Sequence, residues 1–343
     1  MQLIREIWLL VDSSGFGGIE SHLLQLASGL TQKGLSVRVV LLKSYGPHPL
    51  KQSLSERGVE LGIAGGFFGL VRLLRESRPA LLHTHGYKAG ITGRTLGRLF
   101  GVKTVSTFHA GEIPKGKVAL YDYIDRVSAG LAHHAYAVSP QVASRLRGPS
   151  EVIENFIDTQ CIKPSNGKNI AFVGRLSHEK GPDRFMDVGK TIREAEFHLY
   201  GSGILEEELR NLSTENMVFH GQKNSMEEAW QQIDILLITS RFEGLPMAAI
   251  EAMARGIPVI AFNVGALSTL IDHNINGWLV EPGDTQGIVS QVRAWLSCSH
   301  SHKCKVRQQA IKKITTHFSC DAIVPKYIAQ YQRLVDQPLV VHA

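Results

Sequence analysis

Short runs of Ile, Val and Leu, each too brief to make a helix, alternate along this chain with longer stretches of helical period. Strands that are apolar on both faces must be covered on both faces. The pattern therefore restricts the chain to an α/β class, with parallel sheets and crossover helices. The predicted strands are 7–11, 37–42, 81–84, 103–109 and 135–139, and 19–33 is the first helix, with Ile19, Leu23, Leu26, Ala27 and Leu30 on one face. After a loop around Pro164, Ser165, Asn166 and Gly167 the rhythm restarts, with strands at 170–173, 196–200, 218–220, 233–239, 258–262 and 277–280. With 343 residues, 43% of them hydrophobic, the chain has material for two cores. The expected division is 1–163, 164–321 and a closing segment 322–343 that contains a helix at 322–334.

Charge is uneven. Residues 1–163 hold 19 Lys and Arg against 12 Asp and Glu, and the remainder 18 against 19, so the N-terminal half carries the excess. That asymmetry suits an anionic partner: a nucleotide phosphate, a phosphorylated lipid or a bilayer surface. Nucleic acid is not expected, because no basic run is interleaved with aromatics, which make up 7% of the chain. Four scattered cysteines give no disulfide framework and no apolar run is long enough for a membrane span, so a cytoplasmic protein is expected. The segment 69–75 has apolar and basic sides. It reads either as a membrane-surface helix or as one packed on its own sheet.

Both halves place a glycine turn after an early strand, Gly15-Phe16-Gly17-Gly18-Ile19-Glu20 and Gly201-Ser202-Gly203-Ile204-Leu205-Glu206. Such turns let backbone approach phosphate at a helix mouth, but Glu20 and Glu206 stand where a dinucleotide fingerprint wants a third glycine. The most informative stretch follows the strand at 233–239. Glu243 falls in the loop at the carboxyl edge, Gly244 permits a sharp turn, Pro246 suits a first helical turn, and Glu251 lies about one and a half turns inside. Two carboxylates so spaced can hold different hydroxyls of one ligand while the exposed N–H groups of the helix that opens along Gly244, Leu245, Pro246 and Met247, the proline itself donating none, meet its phosphates, which points to a nucleotide sugar; a helix cap beside a solvated glutamate is the plain alternative. Arg175 and Lys180 follow the strand at 170–173, also at a carboxyl edge, where cations can stabilise a departing diphosphate. No Asp-x-Asp occurs, so no carboxylate-held metal is expected.

Gly-Gly-Ile-Glu at 17–20, Gly-Arg-Leu with Lys-Gly at 174–181, Tyr-Gly-Ser-Gly at 200–203 and Glu-x7-Glu at 243–251 together resemble the retaining glycosyltransferases of family 4, across nearly the whole chain. The segment 152–158 departs from that family's usual reading, with Glu154 and Phe156 in place of Pro and Gly. The resemblance implies a GT-B fold: two Rossmann-like domains facing across a cleft, acceptor side first and donor side second, with the last helix crossing back and the halves closing on substrate. It implies that Gly17 and Gly18 approach the donor phosphates together with Gly201 and Gly203. Arg175 and Lys180 would bind the diphosphate, Glu251 the ribose, and Glu243 with 244–247 the sugar and phosphate. It also implies transfer with retention and without metal or cofactor, the nucleotide-diphosphate sugar, with UDP mildly preferred, being substrate. His109 would lie near the reactive sugar, and His85 and Lys88 near a glycan or lipid-linked acceptor of a cell-surface polysaccharide or glycolipid. A nucleotide-sugar epimerase of related fold and a non-catalytic binding protein are the alternatives. Cys298, His300, His302 and Cys304 are soft-metal ligands by type, expected in a loop between helices and at a spacing that does not suit zinc.

Overall fold

The computed structural model describes residues 6–109, 116–160, 162–223, 225–335 and 339. The chain forms two compact units, one made of 1–158 with 320–343 and the other of 159–319. The first junction lies five residues before the predicted one at 163/164, and the second, at 319/320, two residues before 321/322.

In the first unit β1 (Ile7–Val11) leads to α1 (Gly18–Gln32), β2 (Val37–Leu41), α2 (Leu50–Ser55), β3 (Glu60–Ile63), α3 (Phe67–Glu76), β4 (Leu81–His85), α4 (Tyr87–Phe100), β5 (Lys103–Phe108), α5 (Lys117–Val127), β6 (His134–Ala137), α6 (Pro140–Ala143) and β7 (Glu151–Val152). All pairings are parallel, in the order β3-β2-β1-β4-β5-β6-β7. Every residue of β1 is buried, as a strand covered by helices on both faces must be. The sequence pattern missed β3 and β7. β3 is an edge strand with exposed ends and no buried residue, and β7 is only two residues long.

The second unit runs β8 (Asn169–Val173), α7 (Pro182–Thr191), β9 (Phe197–Tyr200), α8 (Glu206–Asn211), β10 (Met217–Gly221), α9 (Glu227–Trp230), β11 (Ile233–Ile238), α10 (Met247–Ala254), β12 (Val259–Phe262), α11 (Leu267–Leu270), β13 (Gly277–Val280), α12 (Thr285–Ser297) and α13 (His300–His317). Its sheet is parallel in the order β10-β9-β8-β11-β12-β13. The segment 298–304, expected as a loop, is mostly the first turn of α13, because Ser299 caps the helix by accepting the His302 N–H at 3.3 Å.

The closing helix α14 (Cys320–Leu334) belongs to the first unit. Its Ile323, Val324, Tyr327 and Tyr331 are fully buried with Leu23, Leu26 and Leu30 of α1 in one core. A separate core fills the second unit between its sheet, α7 and α12, around Phe185, Phe197, Trp278 and Trp295. No helix among the described residues is long and apolar enough to cross a membrane.

Candidate active site

In each sheet the strand order reverses next to the first strand, between β1 and β4 and between β8 and β11. At such a reversal the crossover helices leave in opposite directions, and a crevice opens at the carboxyl ends of the strands. The residues following those four strands are therefore the candidates for meeting a ligand.

In the second unit, the loop after β8 holds Gly174, Arg175 and Leu176, and it is stitched to the loop after β9. The Gly174 N–H donates to the Tyr200 carbonyl at 3.0 Å and the Leu176 N–H to the Ser202 carbonyl at 2.9 Å. Gly201, at φ +133°, sits so close to this loop that a Cβ there would fall 1.9 Å from the Gly174 carbonyl oxygen. This contact brings Gly201 and Gly203 beside Arg175, whose side chain is exposed. Gly181 (φ +64°) makes a similar close approach at the entrance to α7, where a Cβ would lie 2.2 Å from the Thr239 carbonyl oxygen; it joins the start of α7 to the end of β11.

That junction carries Lys180 to Glu243. The Lys180 ammonium donates to both carboxylate oxygens, at 2.8 and 2.7 Å, and the Ser240 hydroxyl donates to one of them at 2.6 Å. The Glu243 side chain is 5% exposed and that of Lys180 21%. Burying a carboxylate is costly unless such partners meet it. Arg241 holds Asp183 at the start of α7 in a two-pronged pair at 2.9 and 2.6 Å, which fixes the same loop from its other side. Gly244 accepts the Ala266 N–H through its carbonyl, Leu245 is buried, and Pro246 is the N-cap of α10, one position before the helical turn in which it was expected. Glu251 lies in the second turn of α10, half-buried. Sequence reasoning missed Ser240 and Arg241, although both stand in the same loop as Glu243. A small pocket of about 150 Å³ elsewhere in this unit, lined by Tyr200, His220, Lys223 and Glu228 among others, takes in none of the predicted donor-site residues.

In the first unit, His85 ends β4 and His109 follows β5, and adjacent parallel strands bring their rings together, with His85 Nδ1 3.1 Å from His109 Nε2. His22, on the inner face of α1, joins them at ring-centroid distances of 5.6 Å to His85 and 4.8 Å to His109. Sequence reasoning missed His22, although Leu26 follows it by one helical turn and both are buried. Burial holds all three imidazoles neutral: it lowers His22 to about 4 and, helped by the neighbouring rings, puts His85 and His109 well below the usual histidine range. Lys88, in the first turn of α4, pairs with Asp12 after β1 at 3.2 Å and lies over the Tyr121 ring. Hydrogen bonding to Asp12 raises the Lys88 pKa, so its charge is secure. Gly17 is the N-cap of α1, and its N–H is taken by the Glu20 carboxylate at 2.8 Å, with Gly18 beginning the helix. The residue standing where a dinucleotide fingerprint has its third glycine thus fills some of the helix mouth with its own carboxylate.

Comparison with known proteins agrees with this division. Residues 16–160 match the model of Glycosyltransferase Family 4, and residues 167–298 that of Glycosyl transferases group 1. The chain is 26% identical over 260 residues to the UDP-Gal:alpha-D-GlcNAc-diphosphoundecaprenol alpha-1,3-galactosyltransferase of Escherichia coli, spanning 64% of this chain and 67% of that protein. It is 24% identical over 340 residues to an uncharacterised glycosyltransferase of Methanocaldococcus jannaschii, covering 93% and 95% of the two. Among solved structures, HepE of Anabaena in complex with UDP-glucose superposes with a TM-score of 0.82 at 18% identity, over 96% of this chain and all of that one. The crystal structure of TarM gives 0.81 at 12%, over 96% and 99%. With its two parallel-sheet units matched in turn by these two families, the chain is a glycosyltransferase of the GT-B fold.

Proposed function

We propose that this glycosyltransferase takes a UDP-sugar as donor and transfers its hexosyl group, with retention of anomeric configuration and without a metal ion, to a hydroxyl of a lipid-linked saccharide in cell-surface polysaccharide or glycolipid synthesis. The observation that carries the reading is the Lys180–Glu243–Ser240 cluster, whose Lys180 follows β8 in the same segment as Arg175, at the strand reversal of the second unit. Arg175 and Lys180 supply the two cations that a departing UDP requires. The first N–H groups of α10, which have no partner within the helix, meet a phosphate, and Glu251 takes the ribose hydroxyls. Glu243, held rigid by Lys180 and Ser240, orients the sugar. The bond between C1 and the phosphate oxygen breaks as the acceptor oxygen bonds to C1 on the same face. The acceptor proton passes to the leaving phosphate, so no protein nucleophile participates. His109, neutral and half-buried, hydrogen-bonds the sugar, while His85 and the Asp12–Lys88 pair border the acceptor. UDP follows the ligand named in the HepE complex, and a lipid-linked acceptor follows the name of the Escherichia coli relative.

A helix of the first unit supports a peripheral place on a bilayer. α5 is turned inside out: its buried residues are Asp122 and Asp125, while Val118, Leu120, Tyr121, Tyr123, Ile124 and Val127 are exposed. The interior acids are met by arginines, Asp125 by Arg94 at 2.7 Å and Asp122 by Arg126 and Arg145 at 2.9 and 3.3 Å. Helix α3, which contains the amphipathic segment 69–75, buries Leu70 and Leu74 on the sheet and exposes Phe67 and Phe68. An apolar outer face on a unit of net positive charge suits an anionic bilayer. Flotation with anionic vesicles tests this: Leu120→Glu with Tyr123→Glu is expected to abolish binding, and binding equal to wild type would refute it.

The donor reading is tested by thermal-shift screening of uridine, guanosine and adenosine diphosphate sugars, followed by product analysis with a lipid-linked acceptor. A UDP-sugar is expected to raise the melting temperature and to be consumed only when acceptor is present, giving an α-linked product from an α-linked donor. An inverted product, or a donor that epimerises without acceptor, would overturn it.

A further inference from the structure

His22, His85 and His109 each offer one imidazole nitrogen, and the three nitrogens lie within 4.8 Å of one another. The 3.1 Å between His85 Nδ1 and His109 Nε2 is close to the edge of a tetrahedron, about 3.3 Å, around an ion with bonds of about 2.0–2.1 Å. His22 and His85 are fully buried and His109 half-buried, so the cluster opens on the His109 side. His85 Nε2 is buried without a hydrogen-bond partner among the described residues. Aromatic neighbours line the cluster: Phe156 and Tyr327 pack edge-on against His22, and His83, held by Thr107 and Tyr331, packs on His85.

We propose that His22, His85 and His109 form a binding site for a borderline transition-metal ion, Zn²⁺ or Co²⁺, with three protein nitrogens and a fourth position open on the His109 side. Three imidazoles and no carboxylate select against Mg²⁺ and Ca²⁺, which prefer oxygen. Small ring rotations bring His22 to bonding distance. The ion is not a participant in transfer. By occupying His109 it opposes transfer, and that consequence, unlike the site itself, rests on the function proposed above.

The test uses the full chain stripped of metal by a chelator. Equilibrium dialysis against Zn²⁺ is expected to retain one ion per chain, and Co²⁺ to give the intense visible absorption of a tetrahedral centre. X-ray absorption of the zinc form should show nitrogen at about 2.0–2.1 Å and no sulfur at about 2.3 Å. Sulfur would move the ion to the pair His300 and Cys304, which lie 3.4 Å apart on α13, and would overturn the proposal. His300→Ala with Cys304→Ser is expected to leave binding unchanged. His22→Gln and His85→Gln, checked for folding by circular dichroism, are expected to weaken it at least about tenfold. Cobalt absorption retained at wild-type affinity in both would also overturn the site, and the wild-type absorption spectrum decides the matter even where a variant does not fold. With an acceptor assay in hand, Zn²⁺ should inhibit wild type. If transfer proceeds unaffected by bound Zn²⁺, the inhibitory consequence fails while the site stands; if no transfer occurs at all but the ion binds, the functional reading fails alone.

Discussion

Lys180 has two roles that a single substitution separates. It neutralises Glu243, and in the proposed reaction it stabilises the departing UDP. Lys180→Ala leaves a buried carboxylate with the Ser240 hydroxyl alone; because Lys180 is partly exposed, the cost in stability is held to about 1–3 kcal/mol. The loss of transition-state stabilisation is expected to be larger in effect, a fall in kcat of about 10²–10³-fold with donor affinity much less changed. Chemical denaturation and steady-state kinetics on the same protein distinguish the two. Glu251→Ala, at a half-buried position of α10, is expected to raise the donor KM or Kd about tenfold or more while leaving the melting temperature within a few degrees of wild type. Glu243, Glu251, Arg175 and Lys180 were legible as candidates because their spacing relative to strand ends is written in the chain. That Ser240 and Lys180 both converge on Glu243 was not, since Lys180 and Glu243 are 63 residues apart and meet only across two strand ends.

Among the elements, the backbone contact between loops is what positions Lys180 and the other candidate donor-side groups. Gly181 cannot accept a side chain without pushing α7 away from the end of β11, and its positive φ is itself unfavourable for other residues. Gly181→Ala is therefore expected to destabilise the protein by about 2–4 kcal/mol and to lower kcat through displaced Lys180, both measurable by urea denaturation and activity at a temperature where the variant is folded. The strands were the most legible elements, since β1 and β12 are continuous apolar runs and β8 and β11 are apolar but for Asn169 and Asp234. β3 and β7 were not, because an edge strand and a two-residue strand carry too few buried side chains to leave a pattern. α5 illustrates the opposite case. Its period is helical, but its polar side faces inward because Arg94 lies inside to receive it, an orientation that periodicity alone does not reveal.

For the chain as a whole, two consequences follow from how the first unit is assembled. Its core is completed by α14, so a chain ending at residue 319 is expected to lose the near-ultraviolet circular dichroism of the first unit while the second keeps its own. Its buried histidines also set an acid limit. A base whose pKa is lower in the folded state than in the unfolded one takes up its proton more readily on unfolding, so the stability it confers is complete above pH 6.5 and is lost as pH falls towards the folded value. For His22 that window is 6.5 down to about 4, with a total of about 3 kcal/mol, and His83, His85 and His109 act in the same direction. The melting temperature is expected to fall between pH 7 and pH 5, and His22→Gln should flatten that fall. The two parallel-sheet units, the succession of their strands and the candidate groups at the strand ends could all be read from the residues in order, because burial on both faces and turn chemistry are local properties. Three features were not written in the residues in order: the ion pair of Lys180 with Glu243, the meeting of His22 with His85 and His109, and the place of α14 in the first core, which was expected only through the family resemblance. Each joins residues distant in the chain, and hydrophobic period fixes which face of an element is buried but not which other element it is buried against.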